Sequence, residues 1–224
     1  MEAKGLKLAT SAAVKEKRLA SLLGGRSAQD PALLSAVIAA QVRGSLDLAG
    51  TPGAPEEARA LERAIAAVDP RAPFTVSAVM AWHAALTGER TLRRVPRDRP
   101  EGPPPAPPEF IASRLAITEE WLGTDSAREL LPAQQGAIAL ARIVEILPFD
   151  RANGMVARLA ASHLMVRAGA RPPILTGEHA GRLREALTAA YQLQTEPLAR
   201  LLEDGAERAL DVLIAALSAD RAAP

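Results

Sequence analysis

The sequence predicts an all-α protein made of short helices, interrupted by one long loop rich in proline and arginine. Two observations carry this reading. Alanine and leucine favour helices, and the chain holds 48 alanines among 224 residues. β-Branched residues form no alternating run long enough for a strand, whereas apolar residues recur at helical spacing between Pro and Gly breakers.

Residues 1–30 show little periodicity outside Val14–Leu23 and are expected as an N-terminal arm or frayed helix. A helix is expected from Pro31, because proline suits a first turn. Leu33, Leu34, Val37, Ile38 and Val42 share one of its faces, and it is expected to stop near Gly44. Thr51 to Pro55 reads as a turn. Glu56 to Val68 reads as a helix whose N-terminal acids suit the macrodipole, and Thr75 to Leu86 as another ending at Gly88.

Residues 89–108 differ. Arg90, Arg93, Arg94, Arg97 and Arg99 precede five prolines between Pro103 and Pro108, which remove donors and enforce extended backbone. This predicts a surface loop, or a short β-hairpin flap over Arg90–Val95, with arginines that face solvent or dock an acidic partner or phosphate. Helices resume over 108–122, 132–147, 154–167 and 178–191, with one or two more after Pro197. The organisation expected is an arm over 1–30, a helical domain over 31–205, and a C-terminal helix and tail over 206–224.

Composition narrows the function. Lys and Arg number 27 against 26 Asp and Glu, so no excess cation drives nonspecific polyanion binding. Aromatic residues are 3% of the chain, too few for stacking platforms, and nucleic acid is disfavoured. The chain has no cysteine, which excludes disulfides and thiolate chemistry. His83, His163 and His179 lack metal-ligand spacing, so no metal site is expected. His83 reads as a packed residue and His163 as partly exposed. No apolar run approaches the roughly 18 residues of a membrane span. No hydrophobic leader follows Met1, so a cytoplasmic protein is expected.

One segment speaks about chemistry: Ile146 to Arg158, ILPFDRANGMVAR, between two apolar helices. Pro148 ends the first helix and Ala152-Asn153-Gly154 turns the chain into the second. Backbone amides at such a helix start, with the positive end of its dipole, suit an anion, and Arg151 and Arg158 add charge. The plain structural alternative is a helix corner in which Asn-Gly tolerates positive φ.

This segment resembles the Fic family signature HPFxDGNGRxxR. The order of neighbouring pieces agrees: Ala78 to Leu86 is similar to the family's LHxxL helix, Gly88 to Val95 to the approach to its flap, and Gly169 to Ile174 to its GYPPI. The resemblance covers about residues 31–205 and implies a Fic-like fold. It also implies transfer of AMP from ATP to a protein hydroxyl, often by a dimeric protein.

The catalytic positions depart from that pattern. The family's general base, a histidine, falls on Leu147, whose alkyl side chain cannot accept a proton. The acid that holds magnesium falls on Arg151, and the first phosphate-binding arginine on Met155. Pro148, Phe149, Asn153, Gly154 and Arg158 remain. Asp150, the nearest carboxylate, occupies a variable family position. The family's inhibitory helix, (S/T)xxxE(G/N), is matched to Ala39–Gly44, which puts Arg43 where its Glu would face Arg158.

The reading is a Fic-like pseudoenzyme with no catalytic residue. It binds ATP, another nucleotide or an anion without magnesium at Asn153, Gly154, Arg158 and Arg151, or a protein partner, with a homodimer as an option. The alternatives are a diverged nucleotidyl or phosphoryl transferase using another base, and a DNA-associated or pure interaction module.

Overall fold

The computed structural model describes residues 2–27, 30–67, 69–99 and 102–222. Among them the chain forms ten α-helices and no strand. They are α1 (Glu2–Leu23), α2 (Pro31–Leu48), α3 (Pro55–Ala66), α4 (Val76–Thr87), α5 (Ile111–Leu122), α6 (Asp125–Arg128), α7 (Pro132–Ile146), α8 (Asn153–Arg167), α9 (Ala180–Ala190) and α10 (Glu196–Ala222). Short 3-10 turns lead into α5 and α9.

The all-α class and most helix starts follow local signals. Asp30 caps α2, its carboxylate accepting the Ala32 amide ahead of Pro31. Thr75 caps α4 through the Ala78 amide, and Gly88 ends it in the left-handed region at φ 79°. The helix expected over 56–68 runs from Pro55 to Ala66, and Val68 lies outside the described residues.

At the centre, α7 and α8 form an antiparallel hairpin. Gly136 makes their close approach possible: a β-carbon there would lie 3.1 Å from Met165 and 3.2 Å from the Ala161 carbonyl oxygen. Val156, Ala157, Ala160 and Ala161 of α8 are fully buried. α10 covers α7 and also packs on α9, α2 and α1.

Three expectations need correction. α2 passes through Gly44 and ends four residues later at Leu48. Gly44 serves packing instead, since a β-carbon on it would lie 2.2 Å from the Leu175 carbonyl oxygen. The N-terminal segment contains a docked helix. α1 runs parallel to α10, with Leu19 buried and Lys15 bridging Glu207 at 2.7 Å and Asp211 at 2.8 Å. At the other end, α10 is unbroken across residues 205 and 206, so no boundary falls there.

The flap region is an extended loop without strands among the described residues. Arg93 and Arg99 turn inward, for a reason given below, while Arg90, Arg94 and Arg97 stay exposed.

Gly44→Ala should cost about 1–3 kcal/mol, because the added methyl meets backbone that cannot step aside. Urea unfolding of the two proteins measures the difference.

Candidate functional site

The corner between α7 and α8 is built by three local devices. Leu147 caps α7 in the left-handed region at φ 48°, its amide donating to the Ile143 carbonyl. Ala152, at φ 62°, turns the chain into α8. Between them, Asn153 ties the loop: its Oδ1 accepts the Phe149 amide at 3.0 Å and its Nδ2 donates to the Phe149 carbonyl at 2.7 Å. Phe149 is fully buried and stacks on the His83 ring, centroids 3.8 Å apart and planes 2° from parallel. The His83 Nδ1 donates to the Glu89 carbonyl at 2.8 Å, so this histidine is packed as expected.

The carbonyls at the end of α7 point into protein rather than water, and the proline-rich loop answers them. Arg93, 2% exposed, donates through Nε to the Leu147 carbonyl at 2.6 Å, and through Nη2 to the carbonyls of Ile146 and Ala106. Its backbone amide takes the Pro148 carbonyl at 2.9 Å. Arg99 donates to the carbonyls of Val144 and Glu145 while its guanidinium lies 5.1 Å from the Tyr191 ring centre. Arg97 takes the Asp150 carbonyl. Arg93 and Arg99 therefore do not form the solvated or acid-docking face that their density suggests, whereas Arg90, Arg94 and Arg97 are exposed as expected. Arg93 and Arg99 satisfy orphan carbonyls and oppose the negative end of a helix dipole. Burial lowers the Arg93 pKa from its ordinary value, and the Asp150 charge offsets this only in part.

Arg151, in the loop, donates to the Thr87 carbonyl at 2.9 Å and pairs with Glu89 at 3.1 Å, with both side chains more than half exposed. Asp150 is exposed. The amides of Asp150, Arg151 and Ala152 donate to no protein group among the described residues.

Arg158 reaches from α8 to α2. Its Nε and Nη2 donate to the Ser45 hydroxyl at 2.9 and 2.7 Å, and Nη2 to the Ser45 carbonyl at 3.2 Å. Nη1 lies beside Gly154. Burial of the guanidinium pulls its pKa down to about 10. The cavity against it, lined by Gln41, Ser45, Met155 and Ser162 among others, has about 30 Å³, the share of one water. Arg43 is not the residue that faces Arg158. It is exposed and lines a separate cavity with Gly44 and Asp47 on the other side of α2. Two residues of helix rotate a side chain by about 200°, so a two-residue error in register puts it on the opposite face.

His163 is buried, not partly exposed, and lies 5.5 Å from the Trp82 ring, with neither nitrogen hydrogen-bonded among the described residues. His179 is also buried, its Nδ1 accepting the Thr176 amide at 3.0 Å. No group of three or more His, Asp or Glu side chains could hold a metal ion among the described residues.

Residues 73–165 match the Fic/DOC family model. The chain carries a Fic domain. Over 115 residues, 51% of the chain, it is 30% identical to the protein adenylyltransferase Fic of Culex quinquefasciatus, and 31% identical to that of Aedes aegypti. The matched stretch is 23% of each relative, so the chain spans under a quarter of their length.

Solved structures agree on the fold. Fic-1 of C. elegans superposes with a TM-score of 0.75 at 18% identity, covering 96% of this chain and 74% of that one. A Fic domain containing signaling protein of Bacteroides thetaiotaomicron gives 0.76 at 16% identity, covering 93% and 98%. IbpAFic2 covalently tethered to Cdc42 gives 0.61 at 16%, covering 87% and 70%.

In this Fic domain the sequence singled out Asn153 and Arg158, which the fold does bring to one corner, with Leu147 and Arg151 beside them. It missed Ser45 and Arg93. Ser45 lies four residues after Gln41, so the helical spacing was visible, but serine is a different chemistry from the carboxylate sought. Arg93 carried no local signal, because the α7 carbonyls that it serves lie more than fifty positions away.

Arg93→Met should destabilise by about 2–4 kcal/mol, since several buried carbonyls lose their donor. Denaturant melts of the two proteins measure it. Burial also lowers the pKa of His83, His163 and His179 from the ordinary 6.5. Below pH 6.5 the unfolded chain takes up protons before the folded one, so stability falls as pH drops from there. His163→Leu removes one such uptake. Its unfolding free energy relative to wild type, from urea melts, should rise between pH 8 and pH 5 by at most about 1.4 kcal/mol per pH unit.

Proposed function

We propose that this chain is a catalytically silent Fic domain, which transfers no AMP and works by binding a protein partner. The observation that carries the reading is Leu147. It occupies the place of the family's general base with a side chain that has no lone pair. The nearby ionisable groups offer no substitute, since His83 is buried under Phe149 with its Nδ1 proton on the Glu89 carbonyl, and Asp150 faces solvent.

The residues do not fit magnesium-ATP either. A cation at the family's metal position would meet the Arg151 guanidinium, already paired with Glu89. Met155 offers no donor for phosphate, and Arg158 is engaged by Ser45 beside a cavity the size of one water. The free amides of Asp150, Arg151 and Ala152, with the Arg158 Nη1 beside Gly154, support a residual seat for a small anion. The tethering of IbpAFic2 to Cdc42 supports a protein as the class of partner. No described helix is long and apolar enough to cross a membrane, and a cytoplasmic setting is part of the proposal.

Incubation of the purified protein with labelled ATP, magnesium and a cell lysate should transfer no label. Label transferred by the wild type and lost in Arg158→Ala would overturn the reading. The double variant Leu147→His with Arg151→Asp, assayed beside it, should gain transfer if only these two groups are lacking.

A further inference from the structure

α5 leaves an apolar stripe in solvent. Phe110, just before the helix, and Ile117 and Trp121 within it are 53%, 63% and 41% exposed. They lie seven and four residues apart, the spacing of one helix face. The whole chain has only two Trp, one Tyr and three Phe. Half of these, Phe110, Trp121 and Tyr191, are placed on or beside this stripe.

Ile117, Trp121 and Tyr191 line a cleft of about 540 Å³ whose floor includes Ile138. Leu193, on the rim of the cleft, is 81% exposed and held at φ 64°. A contiguous exposed apolar patch that concentrates a chain's scarce aromatics has the composition of a binding surface.

The charges on the helix say what fits there. Arg114 lies three residues before Ile117 and Glu120 three residues after it. Both are exposed, and neither side chain has an ion pair or hydrogen bond among the described residues. A two-fold axis through Ile117, with two α5 helices antiparallel, sets each residue before Ile117 opposite the one equally far after it. Arg114 of each copy then meets Glu120 of the other. The small Ser113 meets the large Trp121. The face is complementary to itself in charge and in size.

We propose that α5 is a self-association face on which two copies of this chain pair antiparallel about Ile117. The apolar stripe supplies the association, and the Arg114–Glu120 pairs set its register. This stands apart from the question of AMP transfer and does not rest on it.

Sedimentation equilibrium on the full chain tests the proposal. The wild type should approach twice its 23.6 kDa at high micromolar concentration. Arg114→Glu and Glu120→Arg should each weaken the dimer about tenfold or more by setting like charges together. The double variant Arg114→Glu with Glu120→Arg should regain it, which a loss of fold or of surface charge alone would not allow. Ile117→Asp, at an exposed position, should be monomeric with an unchanged circular dichroism spectrum. A wild type that stays monomeric, even one that binds a different protein, overturns the proposal. So does a dimer that both single variants keep, or a double variant that stays monomeric.

Discussion

A helix that ends inside a protein leaves its last carbonyls facing groups that must bond them, and α7 ends inside this one. Everything around the Fic corner is arranged to meet that constraint. Leu147 folds its own amide back to Ile143, Arg93 and Arg99 reach in from the loop to take the remaining carbonyls, and Arg97 takes one beyond them. The guanidinium fork suits this task, because one planar group serves several acceptors where a lysine would serve fewer. The prolines after Arg99 complement it, holding the loop extended without donors of their own to satisfy.

The same constraint explains which parts of the fold were legible in the sequence. Pro31, Thr75, Gly88 and Pro132 act on their immediate neighbours, so the starts of α2, α4 and α7 could be read from a few residues. Gly44 could not, because whether a glycine ends a helix or admits a neighbouring strand of chain depends on Leu175, far away in sequence. The docking of α1 was hidden for the same reason: the groups that hold Ser11 and Lys15 lie 196 positions later. Solvation reads charge as surface, and Arg93 and Arg99 were read that way along with their exposed neighbours. Burial of a charge is favourable only when the chain supplies a cage of acceptors, and a cage is a property of the fold.

At the site itself, the sequence identified the departures from the family pattern but placed one of them on the wrong face of α2. Arg43 looks away, and Ser45 holds Arg158. The correction changes the electrostatics. This corner does not hold two arginines in need of an anion. It contains one desolvated guanidinium held by neutral oxygens, and an exposed Arg151–Glu89 pair of little energetic weight.

The left-handed backbone at Leu147 has a further consequence. Among residues with a β-carbon, histidine enters that region several-fold more readily than most, whereas leucine has no local bond with which to favour it. The main chain at this position therefore already lies in a region that histidine tolerates. A designer restoring a base here would be changing a side chain on a fixed scaffold, with no loop to rebuild.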